Sequence, residues 1–459
     1  MIHRRLTGVT VASILAIGFP AVAATQVLHL PIQHYTLDNG LKVVLVPNSK
    51  TGTVNVKTFY GIGFRVEPRE RTGFAHLFEH LMFQGSQNAP KGRLIGDATA
   101  AGGFVNGSTR FDYTDYVEWV PSNALERMLW LDGDRMARPV IEETVLKNQQ
   151  GVVGNEVKVN VLNAPYGAWP WIDLPMLANS NWYNAHNFYG DLKEIEAATV
   201  ADAKDFSARY YKPNNASLVI QGDFNPVEAR AMVQRYFGAI PAGPKVVLPD
   251  LREAPQTKAR VGSRVDPLAP KPGYSFAYHV PARGSSDWYA MGLIDQMLLQ
   301  GDDSRLRRAL SIDRSITGDL DGGVNAYLGD MYTYHGPALW MVNFTHDSAV
   351  SAASIKAIVD SVITDFLASP PSAKELARAK VKAKAALYRS IADESSAGLA
   401  DLVGLAALFG DDPTFVNRIP DAFDSVTAAQ VQKTAREYLR PEQRSTFTIV
   451  PGKPAGESK

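Results

Sequence analysis

The spacing of apolar positions changes along the chain, and the changes mark its elements. In residues 33–46, QHYTLDNGLKVVLV, two short β-rich runs flank Asp38-Asn39-Gly40. Such a turn predicts a hairpin, because Asn and Gly tolerate the positive φ that tight hairpin turns need. Alternation over 53–59 predicts a strand. Over 72–83 the period becomes helical, and it does so again over 124–136, 142–159 and 199–211. The last stretch starts at a capping Thr and stops before Pro213, after which 217–220 is expected as a strand.

The pattern then repeats. TVADAKDFSARYYKPNNASLVI, from Thr199, and TAAQVQKTAREYLRPEQRSTFTI, from Thr427, superpose at one offset, which places Thr199 on Thr427, Tyr210 on Tyr438 and Pro213 on Pro441. HLFEHLMFQG, from His76, aligns without gaps to GLIDQMLLQG, from Gly292. Apolar positions correspond, as do Gln84 with Gln300 and Gly85 with Gly301. Polar ones do not: His76 becomes Gly292, Glu79 becomes Asp295 and His80 becomes Gln296. This reads as a duplication in which one copy kept a site and the other lost it. Between the copies, prolines at 241, 244, 249, 255, 267, 270 and 272 predict a stiff linker over 241–272. The expected domains are therefore 24–240 and 273–459.

Composition narrows the chemistry. The 459 residues are 45% hydrophobic and 20% charged, which fits a globular protein of more than one domain. Lys+Arg and Asp+Glu balance at 47 each, so nothing suggests nucleic acid or an anionic membrane as partner. The N-terminus has Arg4 and Arg5, an apolar run over 9–19 and then Ala21-Val22-Ala23. That is the form of a secretory leader, cleaved after about Ala23, and it implies a periplasmic protein. The chain has no Cys, so any metal must be held by His, Asp or Glu.

In HLFEH, His76 and His80 are four apart and lie on one helix face, where two imidazole nitrogens can meet one ion, zinc being the best match. Glu79 reaches the same side and can take a proton from water. A pair of surface histidines is the plain alternative.

HxxEH in this setting resembles the pitrilysin and insulinase family of zinc peptidases. The resemblance is carried by GIGFRVEPRERTGFAHLFEHLMFQGS from Gly61, GGFVNGSTRFDYTDY from Gly102, YYKPNNASLVIQGDF from Tyr210 and SRLRRAL from Ser304, in the family's order. It implies an α+β fold of two homologous α/β-sandwich domains, each a mostly antiparallel sheet packed with helices, joined by the Pro-rich linker. It also implies one zinc held by His76, His80 and Glu156, with Glu79 as general base. The family usually carries a Glu at the position of Gln149, where it orients the site. Peptide substrate would be held by strand addition along GGFVNG, with Asn106 in contact; a simple turn at Gly102, Gly103 and Asn106 is the other reading. Two-domain members of the family form half of a chamber, so a partner chain is implied. An Arg–Tyr pair expected in the second half is not evident, since no Arg lies between Arg314 and Arg378 although Tyr327, Tyr332 and Tyr334 are present. A sister subunit supplying the pair, in a heterodimer, is the expectation; a homodimer is the alternative. A non-catalytic peptide-binding or assembly subunit, and a metal-binding protein without hydrolysis, are the competing functions.

Overall fold

Alternating apolar residues in the first half build a six-stranded sheet in the order β1-β2-β6-β3-β5-β4. Its strands are β1 (Gln33–Thr36), β2 (Lys42–Pro47), β3 (Thr53–Tyr60), β4 (Phe104–Thr109), β5 (Thr114–Pro121) and β6 (Ala216–Gly222). β1 and β2 form the expected hairpin, with Gln33 opposite Leu45 and Gly40 at φ +88° in the turn. The structure, a computed structural model, describes residues 28–392 and 398–452. The leader expected at 1–23 lies outside the described residues.

The second half repeats the design in five strands: β7 (Arg260–Asp266), β8 (Gly273–His279), β9 (Asp321–Val324), β10 (Leu339–Thr345) and β11 (Ser445–Pro451). Their order is β7-β11-β8-β10-β9. Each sheet has one parallel pair at the matching place, β2 with β6 and β7 with β11, and every other pairing is antiparallel. Strand order and sense thus agree, β2 answering to β7 and β4 to β9. One expectation needs correction. Residues 260–266, counted in the linker, form strand β7 of the second sheet. Their side chains alternate between half-buried Arg260, Gly262 and Arg264 and exposed Val261, Ser263 and Val265, so no apolar stripe announced the strand.

The helices that matter here are α1 (Phe74–Leu81), α2 (Leu125–Ala137), α3 (Glu143–Val157), α4 (Asp173–Ala178), α5 (Val200–Tyr210), α6 (Pro226–Phe237), α7 (Ser286–Leu298), α8 (Ala373–Ala392), α9 (Gly398–Phe409) and α10 (Ala428–Tyr438). α5 starts at Thr199 in a capping box with Asp202, and α10 starts at Thr427, whose side chain accepts from the Gln430 N–H. Period-two alternation sends Val43, Leu45, Val56, Leu218 and Ile220 to one face of the first sheet, where they pack in one core with Phe74, Leu77, Phe78 and Leu81 of α1. Val44, Val46, Phe59 and Val219 go to the opposite face.

That opposite face is covered by a helix from the other half. α9 lies across β2, β3 and β6, so close that a Cβ on Gly404 would meet the Phe59 ring at 2.4 Å. In exchange, α4 of the first half packs on β8 and β11 through Leu174 and Ala178, and Trp169 donates Nε1 to Ser275 Oγ at 2.7 Å. The α9 contact also carries buried charge: Lys57 on β3 lies 3.0 Å from Asp115 and 2.5 Å from Asp401 of α9. Ser217 Oγ donates to the Gly404 carbonyl at 2.8 Å. A fully buried apolar side chain stabilises by about 1.5–3 kcal/mol, so the core that Val44, Val46, Phe59 and Val219 of the first sheet share with α9 makes that helix a strong tie between the halves.

Candidate metal centre

The centre is built on α1, which buries Phe74, Leu77, Phe78 and Leu81 in the core and turns His80 and Glu79 to a half-buried face. Its first turn has no side-chain cap of its own. Glu67, fully buried, fills that role from outside: its carboxylate accepts the Gly73 N–H at 2.8 Å and the Ala75 N–H at 2.5 Å. A carboxylate there satisfies orphan donors and meets the positive end of the helix. Burial nevertheless pushes its pKa up to about 8 against the pull of those two bonds. Gly73 is at φ +81°, and a Cβ there would meet the Tyr189 carbonyl at 2.5 Å, so only glycine lets the 187–190 loop lie against the helix start.

The helical spacing brings His76 and His80 together, with their Nε2 atoms 3.3 Å apart. Glu156, in the last turn of α3, comes between them: Oε1 is 3.6 Å from His76 Nε2 and Oε2 3.4 Å from His80 Nε2. One donor atom from each lies within 4.8 Å of the others, and among the described residues this is the one such group. Two imidazole nitrogens and one carboxylate oxygen, converging on one point with His76 nearly buried, fit zinc with an open position. Burial and the neighbouring His80 press the His76 pKa down to about 4. Burial also opposes charge on His80, but the Glu156 hydrogen bond and the Glu79 charge outweigh it and hold its pKa above the usual range.

Glu79 accepts a hydrogen bond from Thr109 Oγ1 at 2.6 Å. Burial raises its pKa to about 7, against the lowering pull of Thr109 and His80. Strand β4 passes beside it: a Cβ on Gly107 would meet Glu79 Cγ at 3.3 Å. β4 pairs only with β5 and ends the sheet, so the GGFVNG stretch leads into an edge strand, and the turn reading holds only for Gly102 and Gly103 before it. Asn106 is exposed on that strand, its Oδ1 accepting the Gly107 N–H. Gln149, buried on α3, donates Nε2 to Asn148 Oδ1 at 2.8 Å and adds to the upward pull on the His80 pKa.

Sequence reasoning did not find Glu67, Thr109 or Tyr189. Tyr189 donates its hydroxyl to Glu156 Oε1 at 3.3 Å and sets its ring edge-on to His76 at 5.1 Å. Glu67 and Thr109 lie inside the segments that carried the family resemblance; Tyr189 lies outside them.

At the matching place in the second half lies a pocket of about 390 Å³, lined by Gly292, Asp295, Gln296, Tyr327, Met331 and Phe423 among others. Asp295, at the position of Glu79, accepts from Trp340 Nε1 at 2.8 Å and Gln300 Nε2 at 3.3 Å. Tyr332 and Tyr334 are buried around Trp288, whereas Tyr327 opens on the pocket and donates to Asp321 at 3.0 Å.

Fold and site together define a duplicated α+β protein with a single His-His-Glu centre beside a sheet edge. The comparisons agree. The family described as Insulinase (Peptidase family M16) matches residues 42–165, and the one described as Peptidase M16 inactive domain matches 197–382. The chain belongs to peptidase family M16. It is 25% identical to the zinc protease PqqE of Helicobacter pylori, over 98% of this chain and 99% of that one. It is 23% identical to the mitochondrial-processing peptidase subunit beta of Saccharomyces cerevisiae, over 80% of each. In fold it matches the crystal structure of a protease from Helicobacter pylori with a TM-score of 0.83, at 24% identity over 92% of this chain and all of that one. The periplasmic protease PqqL of Escherichia coli matches with a TM-score of 0.73 at 17% identity, over 93% of this chain but 48% of that protein. Among the described residues no helix is long and apolar enough to cross a membrane.

Proposed function

We propose that this chain is the zinc-bearing half of an exported endopeptidase that hydrolyses peptides or small unfolded proteins. The observation that carries the reading is the convergence of His76, His80 and Glu156 with Glu79 next to the free edge of β4. His76, His80 and Glu156 would hold one zinc. When bound, zinc supplies Lewis acidity, polarising a carbonyl and drawing the pKa of water toward neutrality. Glu79 accepts a proton from the attacking water and returns it to the departing amine. Thr109 holds the carboxylate in place. An extended peptide adds to β4 through main-chain hydrogen bonds, Asn106 making a side-chain contact, so the scissile bond is delivered beside Glu79.

A two-domain chain supplies half of a chamber, and this one spans about half the length of PqqL. A related sister subunit, or a second copy, completes it, in the periplasm. Gln149 favours a second reading, a peptide-binding subunit that hydrolyses nothing, because the amide leaves the centre without a further negative charge beside His80. The deciding experiment uses the full chain with and without a sister subunit. It measures zinc content and cleavage of a quenched peptide library, with Glu79→Gln as control. Stoichiometric zinc with Glu79-dependent cleavage supports the peptidase; zinc without cleavage in either preparation sinks it.

A further inference from the structure

Glu156 stands in an unpromising place. It lies in the last turn of α3, after Gly151 and Gly154, which weaken the helix, and its side chain is 30% exposed. A carboxylate so placed has several rotamers open to it, and those that leave the histidines would lose the third ligand. Besides the two histidines, the one side chain among the described residues that hydrogen-bonds it is Tyr189.

Tyr189 is itself held on three sides. Trp171 meets its ring edge-on at 5.3 Å and is fixed by Nε1 donating to the Gly167 carbonyl at 2.8 Å. Its backbone N–H donates to Asn187 Oδ1 at 3.1 Å. The loop is fastened to the start of α1: the Asp191 N–H donates to Thr72 Oγ1 at 3.0 Å, and a Cβ on Gly190, at φ +78°, would meet the Gly73 nitrogen at 2.4 Å. The residue therefore takes its position from the histidine helix, touches His76 with its ring edge and reaches Glu156 with its hydroxyl.

We propose that Tyr189 is a positioning residue that locks the Glu156 carboxylate and the His76 ring into a metal-holding arrangement, registering α3 against α1. The inference rests on the metal-centre reading above. It assigns Tyr189 no proton transfer. Tyr189→Phe keeps the ring and its packing and removes only the hydrogen bond. Tyr189→Met removes the ring contact as well.

The test uses the full chain and needs no peptide substrate. Zinc affinity is measured by competition with a chromogenic chelator, the visible spectrum is recorded with cobalt in place of zinc, and the melting temperature of the metal-free chain is followed alongside. Loss of such an orienting partner weakens metal binding by about tenfold or more. Tyr189→Phe should show that loss with an altered cobalt spectrum and an unchanged metal-free melting temperature, and Tyr189→Met should lose more. In a Glu156→Gln background, Tyr189→Phe should add no further loss. Unaltered affinity and spectrum in both Tyr189 variants overturn the proposal while the centre stands. So does an equal loss with and without Glu156, or a lowered metal-free melting temperature with affinity intact. A wild-type chain that binds no zinc overturns the centre as well.

Discussion

Helices α1 and α7 hold the same place in two sheets of the same strand order, and they have diverged in opposite directions. On α1 the free face carries His76, Glu79 and His80, and the neighbouring strand approaches through Gly107, which keeps side-chain bulk away from Glu79. On α7 the corresponding face has Gly292, and the space a histidine would occupy is taken by Met331, whose Cε lies 2.8 Å from a Cβ built there, and by Phe423 at 3.2 Å. Asp295 has become the acceptor for buried Trp340 and Gln300. The apolar positions that hold each helix to its sheet persist in both copies. The fold thus depends on one set of positions and the chemistry on another: the second copy lost the ligands and crowds the first histidine position with Met331 and Phe423, while a pocket of about 390 Å³ remains beside it.

The largest effect should come from the residue that differs most in role between the copies. Glu79→Gln should lower kcat/KM of the assembled enzyme by about 10²–10⁴-fold while zinc content stays at wild-type level, since Glu79 is not in the ligand set. Parallel measurement of bound zinc and peptide cleavage checks this; unchanged cleavage would mean that the catalytic difference between the halves lies elsewhere.

Next comes the exchange of helices. α4 is seated by apolar contact and, at its rim, by Arg264 pairing with Asp173 and Arg260 donating to the Leu177 and Ala178 carbonyls, whereas α9 is seated over a buried ion cluster. Lys57→Met leaves Asp115 and Asp401 without their cation in the interior. Breaking a buried pair in this way costs about 3–5 kcal/mol, readable as a fall in the denaturant midpoint. A loss near zero would show that water reaches the cluster and that α9 is held by its leucines.

The third test restores the lost polar pattern. Gly292→His with Gln296→His recreates the histidine spacing on α7, but α8 offers no carboxylate there: its residues at that pocket are Ala383, Ala386, Leu387 and Ser390, and Asp295, Asp321 and Asp330 line it from other elements. Zinc should stay at one per chain, and overpacking against Met331 and Phe423 should cost about 1–3 kcal/mol. A second equivalent of zinc by elemental analysis would mean that spacing alone suffices.

How much of this was legible beforehand follows from the range of the interactions. Strands β1, β2, β3 and β6 and helices α1, α2, α3 and α5 could be read because each shows its burial in a local period. The duplication could be read for the same reason, twice over. β7 could not, since its inward residues are Arg260, Gly262 and Arg264 and its Pro-rich flanks resemble a linker. The crossing of α4 and α9 to the opposite sheets is a long-range choice with no local signature. At the centre, helical geometry pairs His76 with His80, whereas Glu156 came only from the family's spacing. Thr109 and Tyr189 act across tens of residues, and Glu67 works as a cap from outside the helix, so no period marks them.

The smallest effect concerns protons at the same crossing. Asp401, its side chain 21% exposed, faces Lys57 and Asp115, and burial raises its pKa to about 7, against the pull of Lys57 and with the added push of Asp115 and Asp330. Two carboxylates share one ammonium, so the cluster keeps a proton that the unfolded chain has already released. Between the unfolded value of 3.8 and the folded value of about 7, the folded state binds more protons than the unfolded one, and the stability owed to Asp401 falls as pH rises through that window. Asparagine cannot titrate. Asp401→Asn should therefore match the wild type most nearly at low pH and gain on it as pH rises. The net drift between about pH 5 and pH 8 should be at least about 1 kcal/mol. Chemical denaturation at the two pH values measures it. A difference that stays constant, or that grows in favour of the wild type, would show that Lys57 keeps Asp401 ionised in the folded chain.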